Sequence, residues 1–423
     1  MNRERLPFPN AIELPYDEAT FLRSALVACL TNDECRLAGV PDTYAGKAIL
    51  DFISGLGYQL EQIDESQVNL TGRGYIKPSE PPDAIDCAGN ADLAHMFAAF
   101  LAGFGRYGVI RCANPHRSLK GLAGVVRQIG GDIFGRGDSC APPWCVHPMP
   151  LSTADVRPSN PHPSLRSALV MLFILGQGTS SIPSAMPGYD SLERAVGHYR
   201  GEIRRSEGKL FIKGGERVIA KRREMPKSFR LAVVAGSAAA MASSRPVKFP
   251  RVCLNPTRAG TLGHLGHAGV GFDVENLTDL DGEVIGDLII NPSEPKGLEL
   301  GRDAVRASYE DLGPLLAIAC LSDGLSEFDL GFLAEAEAEG VVKLALEIAS
   351  AVKSEIDTAG NKITIEGNPS GDADAEAIAY ISDYPSRAIL SIVMKTPKAL
   401  EKELCIAEFG KSLTQVILGD LLF

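Results

Sequence analysis

Three stretches of this sequence share one design: an aliphatic helix rich in small residues, a Gly-marked turn, then a second helix running towards a β-like segment. They are SALVACLTNDECRLAGVPDTYAGKAILDFISGLGYQLEQI from Ser24, LRSALVMLFILGQGTSSIPSAMPGYDSLERAVGHYRGEI from Leu165, and PLLAIACLSDG from Pro314 followed by VVKLALEIASAVKSEI from Val341. The unit is loosely 60 to 70 residues long, and a period of roughly that size implies several copies of one supersecondary motif. Its leading helix restricts the fold most. Arg166 to Leu175 is apolar on nearly every side, so sheets or other helices must cover it completely. Between the helices, KLFIKGGERVIAKR from Lys209 and NKITIEGNP from Asn361 alternate in polarity and carry Gly turns, the pattern of strands and hairpins. Helices alternating with sheets give an α/β or α+β class with internal repetition. The polar, basic stretch Lys221–Arg230 separates two halves of similar repeat content and is the expected hinge.

Composition narrows the function classes. The chain has 423 residues, 42 Lys and Arg against 53 Asp and Glu, and a formal charge of −11. With no long basic run, it is a poor binder of nucleic acid. Its longest apolar stretches, Ser167–Gly176 and Leu231–Ser243, stop short of the roughly 18 residues a membrane span needs. The start, MNRERLPFPNAIELP, has no apolar signal core, and nine Cys mostly within apolar segments suit reduced thiols. A cytoplasmic location is therefore expected, with neither nucleic acid nor membrane as partner. Cys140 and Cys145 in CAPPWC lack metal-knuckle spacing and read as a Pro-rich surface loop. His264 and His267 are too few to hold zinc, and the glycines around them would weaken a helix. No P-loop, GxGxxG after a strand or GxSxG is present. No metal and no cofactor are expected.

At Leu254 the sequence reads LNPTRAGTLGHLGHAGVGFDVEN, then DGEVIGDLIINPSEPKGLELG. This resembles the 5-enolpyruvylshikimate-3-phosphate (EPSP) synthase family, through Asn255, Pro256, Thr257, Arg258 and Gly260, then Gly282, Glu283, Asp287, Leu288, Lys296 and Gly297. GNADLA at Gly89, HRSLKGLAGVVRQIGGDI at His116, DSLERA at Asp190 and SYEDLGPLLAIACLSDG at Ser308 follow in the family's order. The resemblance implies a two-domain inside-out α/β barrel with three βαβαββ-type repeats per domain. It places residues 1–13 with 231–423 in one domain and 14–230 in the other, with a small-molecule substrate in the cleft between them. It implies no oligomeric state.

The family transfers an enolpyruvyl group from phosphoenolpyruvate to a hydroxyl, which needs cations for the donor and an acid/base pair. The positions that match are changed here. In YDEATFLR, Arg23 remains, but Glu18 and Ala19 stand where a lysine and a serine are usual. Asn90 is kept, Asp92 replaces a glycine, and Met96 falls where an arginine is common; Arg117 matches. His162, Pro163 and Ser164 replace a Ser-Ser-Gln stretch, and EAEGVV at Glu337–Val342 lacks the signature's lysine and arginine. Arg387 is kept in PSR, while Glu408 takes a lysine's place with Lys411 three residues on. By resemblance, Glu310 and Asp311 supply acid/base work and Arg23, Arg117 and Arg387 hold an anionic group. Glu18, Asp92 and Glu408 would face an uncharged or cationic part of the ligand, with Asn90, Ser164 and Lys411 completing the substrate set. So many added carboxylates weaken a trianionic donor's binding. The expectation is a diverged enzyme with an altered donor or chemistry; an authentic synthase and a non-catalytic relative are the alternatives. Each residue also has a plain reading: arginines on amphipathic helices, and an acidic first helical turn at Glu310–Asp311.

Overall fold

A computed structural model describes residues 5–137, 140–147, 151–159, 161–369 and 373–421. Six helices are buried along most of their length: α1 (Glu18–Ala28), α2 (Ala91–Phe104), α3 (Leu165–Leu175), α4 (Phe229–Ala242), α5 (Leu312–Leu321) and α6 (Tyr384–Val393). Every residue of α3 and of α5 is buried, as their all-round apolar character requires. Side chains cap several starts: Asp17 accepts from Thr20 N at 2.8 Å, and Asn90 from Asp92 N and Leu93 N at 2.8 and 3.2 Å. Asp383 accepts from Ser386 N at 2.9 Å. Such caps satisfy amides that the helix itself leaves open.

Five of the buried helices, all but α6, belong to a common unit. In the clearest case, Ile85–Asp86 leads through α2 to Gly108–Arg111, and then through helix Lys120–Gln128 to the hairpin Asp132–Arg136 and Ala141–His147. The sheet runs in that spatial order except that the hairpin strands swap, so the last strand lies beside Gly108–Arg111. The sheet led by Glu299–Leu300 repeats this βαβαββ arrangement. In the sheet containing Glu34–Ala38, the leading strand is Arg223–Glu224, from much later in the chain, running parallel to Leu37–Ala38. In two further sheets the leading strand shrinks to one parallel bridge, Asp155 to Ser181 and Ala11 to Lys248. Among the described residues there are five sheets, and the stretch after Glu366 is helical wherever it is regular.

Buried apolar side chains form two clusters, one drawn from Phe21 to Met225, the other mainly from Phe8, Ile12, Leu14 and Phe229 to Leu421. Helices line the inside of each body and sheets form the outer wall. The chain passes between the bodies twice, and the two passages are joined: Asp17 N donates to Pro226 O at 2.8 Å, Ser228 N to Pro15 O at 2.9 Å.

Three local expectations change. Lys221–Arg230 carries the second passage between the bodies at Pro226–Ser228, but its flanks are regular: Arg223–Glu224 is a strand and Arg230 lies in the first turn of α4. Cys140 is buried and Cys145 sits in a strand around the buried Trp144, because alternating burial from Ala141 to His147 fits a sheet better than a surface loop. The first strand, expected over residues 1–13, is present as isolated bridges at Leu6 and Ala11, and residues 1–4 lie outside the described set. Among the described residues, no helix is long and apolar enough to cross a membrane.

Candidate active site

The first turns of α1, α2, α4 and α5 converge on a cavity where the two bodies meet. An inner chamber of about 70 Å³ opens into an outer one of about 430 Å³. Gly89, Arg117, Arg230, Tyr309, Glu310 and Glu408 line both chambers. Glu18 and Asn90 belong to the inner one, Glu337 and Asp383 to the outer.

The cations here are partly engaged. Arg230 donates to Glu408 Oε1 at 2.8 Å. Arg117 donates to Tyr309 Oη at 2.6 Å and to Gly89 O at 3.2 Å, and Tyr309 in turn donates to Glu337 Oε1 at 3.2 Å. That chain bridges the two bodies. Behind it, the rings of His95 and His162 stack at 4.9 Å, and His162 meets Tyr309 edge-on at 4.4 Å. Burial holds both histidines below the usual range, His95 at about 4, so they are neutral spacers near neutral pH.

The carboxyls move the other way. Burial raises Glu18 to about 7 against the pull of Arg230, and Glu18 also accepts a hydrogen bond from Thr43 Oγ1. Burial raises Glu337 to about 7 against the pull of Arg117. Glu310 is raised chiefly by burial and next by the Asp92 charge. A carboxyl that stays protonated close to neutral pH can give up its proton and then recover it, which is the property an acid/base group needs.

The family described as "EPSP synthase (3-phosphoshikimate 1-carboxyvinyltransferase)" matches residues 10–326. The chain belongs to the EPSP synthase family. It is 21% identical over 408 residues to a 3-phosphoshikimate 1-carboxyvinyltransferase of Syntrophotalea carbinolica, covering 94% of this chain and 93% of that one. A 3-phosphoshikimate 1-carboxyvinyltransferase of Bacillus subtilis is 23% identical over 349 residues, covering 82% and 78%. The structure of EPSP synthase from Acinetobacter baumannii superposes with a TM-score of 0.68 at 18% identity, over 96% of this chain and 98% of that one. The enolpyruvyl transferase NikO from Streptomyces tendae gives 0.61 at 11%, over 92% and 89%. The fold is the two-domain inside-out α/β architecture of EPSP synthases.

Of the residues picked out from the EPSP synthase resemblance, Glu18, Asn90, Arg117, Glu310 and Glu408 line the cavity. Others do not. Arg23 and Asp92 are buried against each other, Nη1 to Oδ2 at 2.6 Å and Nη2 to Oδ1 at 2.8 Å. Asp311 turns inward to accept from Thr261 Oγ1 at 2.6 Å, and burial raises it to about 6. Ser164 is buried at the start of α3, its amide donating to His162 Nδ1 at 3.1 Å. Arg387 donates to Ile381 O at 3.1 Å and lies over the Tyr384 ring, so its charge is spent on its own helix start. Lys411 meets Asp42 through its backbone amide, and its side chain is exposed. Met96 is packed in the core.

Sequence reasoning missed three lining residues. Arg230 lay inside the stretch taken for a hinge, although Ser228 is a good helix cap and would have put Arg230 in a first turn. Glu337 opens the EAEGVV segment, whose family signature points to a lysine and an arginine and not to a carboxyl. Tyr309 gave no signal beyond its place beside Glu310.

Proposed function

We propose that this member of the EPSP synthase family is a diverged enolpyruvyl-transferase-type enzyme that takes a small polar metabolite into the cavity between its two α/β bodies. Glu310 serves as the acid/base group, and Arg117 and Arg230 receive an anionic part of the ligand. The observation behind this reading is that a carboxyl with a raised pKa shares one cavity with two arginines. Domain limits of 1–13 with 231–423 and 14–230 are supported by the two apolar cores, although Leu14 and Phe229 pack with the core of the 231–423 body.

The donor subsite is altered. Glu18 and Glu408 bring two carboxyl groups to the inner chamber, where Arg117 and Arg230 are already engaged by Tyr309, Gly89 and Glu408. Phosphoenolpyruvate, with a phosphate and a carboxylate, meets little net attraction there. Isothermal titration with phosphoenolpyruvate, with and without shikimate 3-phosphate, together with a phosphate-release assay, tests this. No binding and no turnover are expected; micromolar binding or steady turnover sinks the proposal. A fluorimetric screen including amino-cyclitols seeks the ligand, and Glu310→Gln should slow its conversion about 10²- to 10⁴-fold. Similarity to curated synthases over 94% of the chain favours a second reading, an authentic 3-phosphoshikimate 1-carboxyvinyltransferase. The same titration separates the two.

A further inference from the structure

Strand Ile85–Asp86 runs parallel to Gly108–Arg111, with Ile85 opposite Ile110 and Asp86 opposite Arg111. Carried one residue further, that register sets Cys87 opposite Cys112, and Cys87 N still donates to Arg111 O at 3.1 Å. Neighbouring strands lie about 4.8 Å apart, within the roughly 4.4–6.8 Å between Cα atoms that a disulfide spans, and residues in register point to the same face. Both residues are thiols here, and they hydrogen-bond to each other. Each sulfur also accepts from the amide two residues on, Cys87 from Gly89 and Cys112 from Asn114.

The two thiols differ in access and acidity. Cys87 is wholly buried, whereas Cys112 is half-buried. The hydrogen bond from Cys87 lowers the Cys112 thiol against the effect of burial, helped by the Asn114 amide and the Arg117 charge. A reachable, more acidic thiol beside a buried partner is the arrangement of an attacking and a resolving cysteine. Both lead into the cavity wall, which Ala88 and Gly89 line after Cys87 and residues 113–117 line after Cys112. Arg117, at the end of that second segment, bonds to Gly89 O and reaches Tyr309 of the other body.

We infer that Cys87 and Cys112 form a reversible dithiol–disulfide pair that clamps together the two turns carrying Gly89 and Arg117. The oxidant is a low-molecular-weight disulfide such as oxidised glutathione. The Cys112 thiolate attacks one of its sulfurs, forms a mixed disulfide and releases one glutathione thiolate, which takes up the proton that Cys112 lost. Cys87 then gives up its proton and attacks Cys112 Sγ, and the second glutathione leaves with that proton. Two protein thiols and one glutathione disulfide thus become one protein disulfide and two glutathione thiols. This chemistry does not depend on what the cleft binds.

The test equilibrates the folded full chain with mixtures of reduced and oxidised glutathione, quenches it in acid and alkylates it. Intact mass and tryptic peptide mapping then read its cysteines. Wild type should lose two of its nine thiols together, keep no glutathione, and join the peptides of Cys87 and Cys112. Dithiothreitol should restore both thiols. The oxidised form should unfold at a higher urea midpoint than the reduced form, because the bridge closes the loop from residue 87 to 112 in the unfolded chain. Cys87→Ser should stop at the mixed disulfide, with one glutathione held on Cys112. Cys112→Ser should place none on Cys87, which is buried. The peptide map is read on wild type, so it decides the matter even where a variant fails to fold. No bridge, a bridge mapped to another pair such as Cys29 and Cys35, a wild type that keeps glutathione on Cys112, or an oxidised form no more stable than the reduced one each overturn the inference.

Discussion

Two arginine–carboxylate pairs stand within the same ring of helix starts and behave as opposites. Arg23 and Asp92 are at 0 and 2% side-chain exposure and bond in two places. Arg230 and Glu408 are at 23 and 30% and bond once, on the wall of the cavity. A buried pair can be broken only at the cost of a bare charge in a low dielectric, whereas a pair facing water can exchange its partner for a ligand. On the proposed reading, the closed pair belongs to the packing behind the site, and the open pair is the one placed to meet a ligand.

The contrast breaks if the closed pair proves cheap to cut. Asp92→Ala should cost about 3–5 kcal/mol, read as a lower urea midpoint, because Arg23 is left without its counter-charge. Replacing both partners with apolar residues, as in Arg23→Met/Asp92→Leu, should cost clearly less than the single change. A single change costing under about 1 kcal/mol would place Arg23 in the open class after all.

A smaller effect comes from pH. Burial raises Glu337 from 4.5 to about 7, so the folded state holds a proton there that the unfolded chain releases. The sign is therefore destabilising on the alkaline side: its contribution is fully favourable below pH 4.5 and declines as pH rises towards 7. Glu337→Gln should remove that decline and leave the variant more stable than wild type at pH 8, by on the order of 1–3 kcal/mol. Paired urea titrations at pH 5 and pH 8 measure it; an equal difference at both would show that Glu337 does not titrate in this window.

Tyr309→Phe removes the hydroxyl that joins Arg117 to Glu337 across the two bodies, and should cost about 1–2 kcal/mol. Smallest is Arg230→Gln. Its stability change should stay under about 1 kcal/mol, while binding of any anionic ligand in the cleft is lost. If stability falls and binding survives, the open pair is structural and the comparison must be redrawn.

The sequence exposes some of this and hides the rest for a physical reason. The all-apolar helices are visible because burial on every side leaves no polar face, and α3 and α5 follow the text of the chain almost residue for residue. Asn90, Arg117 and Glu310 are found through the resemblance to the EPSP synthase family, whose motifs are short runs of neighbouring residues. Partnerships are not short range. Nothing near Asp92 says that its carboxylate meets Arg23, 69 residues away, or that Arg230 answers Glu408 across 178. The substitutions at single positions therefore leave out Arg230, the cation that meets Glu408. Arg387 and Lys411 follow from the family motifs, but Arg387 bonds to Ile381 O beside its own helix start, and Lys411 meets Asp42 only through its backbone amide.

The pairing of Leu37–Ala38 with Arg223–Glu224 also bears on how the protein is made. A ribosome releases the strand Glu34–Ala38 long before its parallel neighbour exists. At about 5–20 residues per second the delay is on the order of ten seconds or more. Meanwhile one edge of that sheet stays open, with free amides and carbonyls facing other nascent chains. Leu6 and Ala11 wait longer still, for Ser243 and Lys248. Segments made early are thus among the last to find their places, and during that delay an open sheet edge is presented to other chains.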